Sequence, residues 1–385
     1  MIQYIKLSSL FEKILLILWG FVLYKSIMVG TSYYTMAFCV LAFFMLPIRR
    51  YLDKQALWLI FFSVLYSIFH ILLGISSSHI SLYFVAPLLF YCFGSHITRS
   101  LNSRVSILEF VAITVFLFSL VTYYTCIIDI RNTGLINPMR IMGRVGGEEY
   151  DMAATLYGLN VSLGLACLFG FFSIEKQERT ILHFLMPLSF LMALITTIHL
   201  VNRTGLVLLF FSLLIFFMYN KKGNKSTWII LVLVVFVFLS TKSEFTSITD
   251  AYTSRSDIEG HGLTDAGSRT DKWIDSLVRL FTSPWGWYKD VRYTFAHNMW
   301  LDVARLTGII PFIAIVGTTV VAFKNTLCLY RVKNDSLVLT LVSIMSIFFL
   351  ESFVEPVLEG FDLYFYLMCM FLGIQKQYLN SISYE

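Results

Sequence analysis

Charged residues are scarce in this sequence. Only 14% of its 385 residues are Asp, Glu, Lys or Arg, whereas 57% are hydrophobic and 17% are aromatic. A soluble domain of this length cannot hide so much apolar surface in one core. The composition therefore excludes a water-soluble globular protein and predicts one whose main solvent is the lipid bilayer.

Cysteine is also scarce, and its distribution argues against two kinds of site. The six cysteines stand singly in or beside apolar runs, with no Cys-x-x-Cys pair and no histidine at ligand spacing. Neither a zinc site nor a disulfide framework is indicated, and buried hydrophobic thiols are expected. The basic residues behind the net charge of +5 are scattered between apolar runs, which does not predict a nucleic-acid-binding surface.

The sequence instead contains many apolar runs of membrane-spanning length, separated by polar joints that carry Lys and Arg. Placing the short basic joints in the cytoplasm gives about twelve spans, both termini inside, and a retained first span rather than a cleaved signal peptide. We therefore predict a single all-α integral membrane domain over residues 1–385. The predicted spans are 14–30, 34–48, 56–75, 79–98, 106–128, 156–174, 181–200, 205–219, 228–240, 308–323, 337–350 and 362–374.

Two joints on the predicted outer side are much longer than the others, at residues 129–155 and 241–306. Loops of this length usually carry function. Both are basic: the first holds Arg131, Arg140 and Arg144, and the second holds eight Lys and Arg residues. A basic surface predicts an anionic partner.

Arg203 is the first candidate for binding such an anion. It lies in Asn202-Arg203-Thr204-Gly205, between the apolar runs that end at Leu200 and begin at Leu206. A charged side chain at that depth is costly, which favours a functional role, although snorkelling to the interface is the alternative.

The second long loop contains a predicted amphipathic helix. A Ser-x-x-Asp capping box predicts that this helix begins at Ser268, which places Arg269 in its first turn, where free backbone N–H groups favour an anion. At 100° per residue, one face is apolar and the opposite face is basic, as expected for a helix lying on the membrane. For Lys272 and Arg279, binding to anionic lipid headgroups is the alternative to substrate binding. The apolar face consists of Trp273, Ile274, Leu277, Leu280 and Phe281, and the basic face of Arg269, Lys272 and Arg279.

Phe295-Ala296-His297-Asn298-Met299-Trp300 precedes a helical pattern that Gly308 should end. His297 would sit at the helix N-terminus, where the dipole favours the neutral imidazole that a general base requires, although a structural histidine is the alternative. Further along, Pro356 should break a helix among three glutamates in 351–360. Glu355 is a candidate for orienting an arginine or a histidine, whereas Glu359 is expected in a solvated loop.

In their order and placement, these motifs resemble the O-antigen polymerase and O-antigen ligase superfamily. The resemblance runs from Arg203 to the last span and is carried by Arg-Thr-Gly, Ser-Arg-Thr-x-x-Trp, His-Asn and Glu-Pro-x-Leu-Glu. It implies a metal-independent glycosyltransferase of the multi-spanning, GT-C-like class that requires no cofactor. Its substrates would be undecaprenyl-pyrophosphate-linked saccharides at the periplasmic face of a bacterial inner membrane.

By this resemblance, Arg203 and Arg269 match arginines that hold the pyrophosphate, and His297 matches the histidine that activates the acceptor hydroxyl. Two basic loops suit two pyrophosphate-bearing substrates, which favours a Wzy-type polymerase. An O-antigen ligase acting on lipid A-core remains open, as does a transporter, which the span count supports. The implied partners are lipid-linked oligosaccharides, membrane lipids and a chain-length regulator. The supporting site candidates are Arg140, Arg144, Lys272, Arg279, Asn298 and Glu355.

Overall fold

The computed structural model of the protein describes residues 10–27, 31–75, 79–101, 103–137, 139–143, 152–172, 181–219, 269–289, 293–332 and 335–382. Almost all of these residues are helical. The elements, in chain order, are α1 (Leu10–Tyr24), α2 (Thr31–Met45), a short 3-10 helix (Ile48–Tyr51), α3 (Lys54–Leu72), α4 (Ile80–Leu101), α5 (Arg104–Thr133), β1 (Ile141–Met142), β2 (Met152–Ala153), α6 (Ala154–Ser162), α7 (Gly164–Phe172), α8 (Leu182–His199), α9 (Arg203–Tyr219), α10 (Arg269–Thr282), α11 (Met299–Thr307), α12 (Ile309–Tyr330), α13 (Ser336–Val354), α14 (Val357–Gly360) and α15 (Asp362–Ile382).

Six of the described helices are long and apolar enough to cross a membrane: α3, α4, α5, α8, α12 and α13. Shorter apolar helices lie at Ser32–Met45, Ala154–Leu168 and Arg203–Tyr219. Several such helices in one chain are typical of a multi-pass membrane protein, in agreement with the predicted all-α fold class. The predicted span 228–240 lies outside the described residues.

Several helices extend beyond their predicted ends into polar sequence. Helix α5 continues to Thr133, α12 to Tyr330 and α15 to Ile382. Polar contacts stabilise the extensions of α12 and α15: Gln375 Nε2 donates to Thr326 Oγ1 at 2.8 Å, and the Tyr378 hydroxyl donates to the Asp335 carboxylate. Hydropathy marks only the apolar part of a helix, so such extensions are not visible in the sequence pattern. The predicted span 156–174 is instead divided at Leu163 between α6 and α7.

The backbones of helices α4 and α15 approach each other closely, because each helix contributes a glycine to the contact. A Cβ added at Gly94 would overlap the carbonyl oxygen of Met370, and one added at Gly373 would overlap that of Tyr91. Ser95 Oγ also donates to the carbonyl oxygen of Gly373 at 3.2 Å. Neither backbone can withdraw without moving a whole helix, so the contact depends on both glycines.

Gly373→Ala should therefore destabilise the protein by about 1–3 kcal/mol, the usual range for overpacking. Helix propensity alone predicts the opposite sign, since alanine is the better helix former by about 1 kcal/mol. Gly20→Ala in α1 is the matched control, because among the described residues its added Cβ meets no atom within 4 Å apart from the adjacent backbone of its own helix. Thermal unfolding in detergent, followed by tryptophan fluorescence, measures both variants. Equal stability of the two would contradict the close approach.

Helices α9 and α13 run antiparallel and bring distant parts of the chain to one end of the bundle. The Tyr219 hydroxyl, at the end of α9, donates to the carbonyl oxygen of Val332 at 2.7 Å and accepts from the Asp335 backbone N–H at 3.1 Å, just before α13. The helices have 17 and 19 residues, so their lengths match. Arg203, which begins α9, therefore lies at the same end of the bundle as Glu355, which follows α13. We call this the site end.

Candidate functional site

His297 lies in a short loop that ends at the first turn of α11. Asn298 caps this helix, since its Oδ1 accepts from the Leu301 backbone N–H at 3.1 Å. The φ angle of His297 is 55°, a left-handed conformation that costs a residue other than glycine about 1–3 kcal/mol. The Asp302 carboxylate accepts from the backbone N–H groups on both sides of His297, that of Ala296 at 2.7 Å and that of Asn298 at 3.1 Å. These bonds hold the unusual backbone conformation in place.

The helix after His297 agrees with the sequence prediction. Helix α11 runs from Met299 to Thr307, and Gly308 ends it with a φ angle of 85°. The turn before α11 is tied to the end of α13, because Asn298 Nδ2 donates to the carbonyl oxygen of Phe353 at 3.2 Å. Helix α13 ends at Val354, two residues before Pro356, as the sequence predicts. The start of α11 and the end of α13 thus form one continuous surface.

Glu355 bridges two of the candidate residues on this surface. Its Oε1 accepts from Arg269 Nη2 at 3.1 Å, and its Oε2 lies 3.5 Å from His297 Nδ1. The Glu355 side chain is only 5% exposed. The structure therefore brings Arg269, His297 and Glu355 together, and Glu355 contacts both an arginine and a histidine.

The contact between His297 and Glu355 is a close approach of two polar atoms and not a hydrogen bond. Among the described residues, both His297 Nδ1 and Glu355 Oε2 are buried without a hydrogen-bond partner, and 3.5 Å is longer than a normal N–H···O distance. Catalytic hydrogen bonds are often this long before a substrate binds. With Nδ1 turned to Glu355, Nε2 is the ring nitrogen available to a ligand.

A second carboxylate lies one helical turn before Glu355. Residues four apart on a helix are neighbours, and Glu351 is 2% exposed. Within the described part of the chain its Oε2 has no hydrogen-bond partner. The immediate surroundings of Arg269 thus contain two carboxylates, which favour a ligand with hydroxyl donors beside them. No group of three or more His, Cys, Asp or Glu side chains in the described residues is placed to hold a metal ion.

Behind the His297 loop lies a buried ionic cluster that the sequence analysis missed. Arg305 Nη2 bonds Glu359 Oε2 at 2.9 Å, Arg305 Nε lies 3.5 Å from Asp302 Oδ1, and the Tyr66 hydroxyl donates to Glu359 Oε1 at 3.4 Å. Burial raises the pKa of Asp302 and raises the pKa of Glu359 well above its usual range. The sequence signal for this cluster was the presence of two charged residues, Asp302 and Arg305, within a short apolar helix.

The expectation that Glu359 lies in a solvated loop is wrong. Its side chain is 8% exposed and paired with Arg305. Residues Val357–Gly360 form the one-turn helix α14 instead of an open loop, and Val357 and Leu358 are buried. The two apolar side chains pull this turn into the bundle, and Arg305 offsets the burial of the glutamate.

The first basic loop meets the start of α9. His199, the last residue of α8, lies 2.7 Å from Asp129 Oδ2 through Nε2 and 3.0 Å from the carbonyl oxygen of Leu135 through Nδ1. Arg140 Nε donates to the carbonyl oxygen of Leu200 at 3.2 Å, three residues before Arg203. Arg140 therefore lies at the turn that precedes Arg203. Arg144 lies outside the described residues.

Helix α10 is amphipathic, as predicted, but its faces are divided differently. Leu280 is buried against Trp287 and Ala304, and Trp273 Nε1 donates to the carbonyl oxygen of Ala296 at 3.0 Å, so both turn toward the protein. Packing against α11 explains this difference, because it selects the face that is buried. The exposed apolar stripe consists of Ile274, Leu277, Val278 and Phe281.

The basic residues of α10 are not equivalent. Arg269 reaches Glu355, whereas Arg279 Nε bonds Asp275 Oδ2 at 2.8 Å on its own helix. The Tyr293 hydroxyl also donates to Asp275 Oδ2, at 3.0 Å. Lys272 is half-buried, and its backbone carbonyl oxygen lies 3.3 Å from the Tyr293 hydroxyl oxygen. Arg279 is thus engaged by Asp275, and Arg269 is the α10 cation that the structure joins to His297 through Glu355.

The site end can support acid–base chemistry on a hydroxyl. It combines an imidazole whose Nδ1 faces a buried carboxylate with an arginine bound to the same carboxylate, the arrangement that orients a general base and neutralises the charge nearby. A comparison with models of known protein families gives no match. A comparison with curated protein sequences gives none at a significant level either.

Proposed function

We propose that this protein is an O-antigen polymerase-type glycosyltransferase. It transfers a glycan from undecaprenyl pyrophosphate to a hydroxyl of a second lipid-linked repeat unit. The observation that carries the proposal is Glu355, which faces His297 Nδ1 with one oxygen and binds Arg269 with the other. In the proposal, His297 is the base and Arg269 the phosphate-binding cation, and their shared contact with Glu355 supports a single reacting centre.

In the proposed reaction, His297 Nε2 takes the proton of the acceptor hydroxyl as that oxygen bonds to the anomeric carbon of the donor. The bond from this carbon to the pyrophosphate oxygen breaks, and undecaprenyl pyrophosphate leaves with the electron pair. Glu355 stabilises the imidazolium that forms, in the way that carboxylates support catalytic histidines. The proton is later released to water.

Arginines would stabilise the charge of the leaving group. A guanidinium has five N–H donors, so the bond from Arg269 Nη2 to Glu355 leaves donors for a phosphate oxygen. Arg203 begins α9 at the same end of the bundle, three residues after Leu200, whose carbonyl oxygen accepts from Arg140. The guanidinium groups of two arginines such as Arg269 and Arg203 can together stabilise a departing pyrophosphate in a site that excludes water.

We place the site end on the periplasmic face of a bacterial inner membrane, with about twelve spans and both termini in the cytoplasm. This follows from the positive-inside rule applied to the short basic joints. The long segments 129–155 and 241–306 are then periplasmic. A periplasm-specific reporter fused at Asn132 should be active, and a cytoplasmic reporter there should be silent. The reverse result would overturn the orientation.

Deletion of the gene tests the function in cells. Lipid A-core capped by a single repeat unit is expected at the cell surface, because the first unit is still transferred but is not extended. Uncapped core with accumulated lipid-linked polymer would instead indicate the O-antigen ligase. Purified protein incubated with a defined undecaprenyl-pyrophosphate repeat unit should build longer lipid-linked chains. If neither a lipid-linked unit nor lipid A-core gives a product as acceptor, both the polymerase and the ligase hypotheses are overturned.

A further inference from the structure

We infer that Asp302 is the positioning residue that holds His297 against Glu355. The role in catalysis rests on the proposed function, whereas the structural part of the inference can be tested without it. Asp302 does not contact the imidazole. It acts on the backbone before and after His297 and thereby determines where the side chain points.

The two bonds of Asp302 enclose His297 from both sides. Oδ1 accepts from the N–H of Ala296 at 2.7 Å, and Oδ2 accepts from the N–H of Asn298 at 3.1 Å. Between these two fixed amides, His297 has a φ angle of 55°, which L-residues rarely adopt without external support. The same conformation directs Nδ1 to within 3.5 Å of Glu355 Oε2.

Helix capping accounts for only one of these bonds. The bond from the Asn298 N–H is of the capping-box type, whereas the bond from the Ala296 N–H lies beyond the cap. Asn298 already caps α11 through its bond from the Leu301 N–H. The Asp302 carboxylate points back from the first turn of the helix and bonds the residues that flank His297. A carboxylate is suited to this task because both of its oxygens accept, whereas an amide accepts with only one.

The Asp302 carboxylate is itself fixed from behind. Arg305 Nε lies 3.5 Å from its Oδ1, and Arg305 Nη2 bonds Glu359. Glu359 in turn accepts from the Tyr66 hydroxyl on α3. This chain of contacts anchors the His297 loop to two further parts of the bundle, α3 and α14. Asp302 is 2% exposed, so water does not compete for its oxygens.

The decisive variant is Asp302→Asn, which keeps one acceptor and turns an NH₂ group toward a backbone N–H. Transfer should fall on the order of a hundredfold, the loss typical of a misplaced catalytic group, mainly in kcat with donor KM little changed. Asp302→Glu retains two acceptor oxygens and should keep more activity than Asp302→Asn. The matched control is Asp275→Asn on α10, whose carboxylate binds Arg279 and Tyr293, and it should transfer within about twofold of wild type.

Chemical modification gives the readout that is independent of glycan transfer. Diethyl pyrocarbonate labels accessible histidines, and mass spectrometry of peptides gives each rate. The His297 side chain is 26% exposed in the wild-type protein. In Asp302→Asn it should react several-fold faster, because it leaves Glu355. His199, whose side chain is fully buried, should stay protected.

Each outcome decides the inference. A wild-type labelling rate at His297 in Asp302→Asn overturns it, whatever happens to transfer. Equal gains in labelling at His297 and His199 overturn it as well, because they indicate general unfolding. If the wild-type protein shows no transfer at all, the proposed function fails, while the labelling ratio still decides whether Asp302 positions His297.

Discussion

Replacing His297 with alanine is expected to abolish glycan transfer while the protein stays in the membrane at normal levels. The imidazole is the group at the site end with one ring nitrogen facing a buried carboxylate and the other available to a ligand. Loss of a general base typically slows the chemical step by about a hundredfold to ten-thousandfold. Donor binding should change little, since the imidazole acts on the acceptor hydroxyl. Single-turnover transfer from a defined donor measures the chemical step.

His79→Ala is the control for this variant. His79 is another partly exposed histidine, and its Nδ1 lies 2.9 Å from the Asp362 carboxylate. Among the described residues, no contact joins His79 to His297 or to Arg269. It should transfer at close to the wild-type rate. The base assignment fails if His297→Ala, at normal membrane levels, still builds long chains at the wild-type rate.

Arg269→Ala should weaken both donor binding and turnover. A phosphate contact acts in the ground state and in the transition state, so both KM and kcat should change. Removal of one charge-stabilising donor typically costs about a hundredfold to a thousandfold in turnover. Arg269→Lys should restore only part of this, because an ammonium group cannot reproduce the planar fork of a guanidinium. Arg203→Ala is expected to behave in the same way. Transfer at several donor concentrations separates the two parameters.

The ion pair adds a stability effect that separates structure from catalysis. Arg269→Ala leaves the buried Glu355 carboxylate without its guanidinium partner and close to Glu351. An unsatisfied buried acceptor costs about 1–3 kcal/mol, so thermal stability should fall. Adding Glu355→Gln to Arg269→Ala removes the unpaired charge and should recover stability without recovering transfer. Recovery of both together would show that Arg269 has only a structural role.

Lys289→Ala is the matched control for the loss of a positive charge in the same segment. Lys289 is exposed and lies 5.6 Å from the centre of the Tyr288 ring. It should change transfer by less than about twofold, because an exposed charge is screened by salt. An equal effect of Lys289→Ala and Arg269→Ala would indicate a general dependence on surface charge, and the pyrophosphate assignment to Arg269 would be wrong.

Features that depend on neighbouring residues were predictable from the sequence. The membrane class follows from composition, and the α10 helix follows from the spacing of its apolar residues. Ser268, where the capping box predicts that this helix begins, lies outside the described residues. The placement of His297 just before a helix follows from the motif that ends at Gly308. Each of these depends on residues within a few positions, where capping, helix period and backbone preference act directly.

Contacts between distant residues were not predictable in the same way. The sequence pointed to Arg269 and Glu355 separately, but their pairing spans 86 positions and requires α10 to pack beside the end of α13. Glu359 was expected in solvent, but it is buried, and its partner Arg305 lies 54 positions earlier. Charge and hydropathy do not indicate which distant partner will offset the burial of a carboxylate.

The sequence by itself determined that this chain is an all-α membrane protein, that a helix begins just after His297 and ends at Gly308, and that another helix ends before Pro356. Local patterns suffice for these properties because they arise from hydrophobicity and backbone geometry within one or two turns. The tertiary structure alone decided that Glu355 bridges Arg269 and His297 and that Asp302 holds the left-handed backbone of His297. Those relationships depend on how separate helices pack, since polar side chains far apart in the chain interact only where the fold brings their atoms close together.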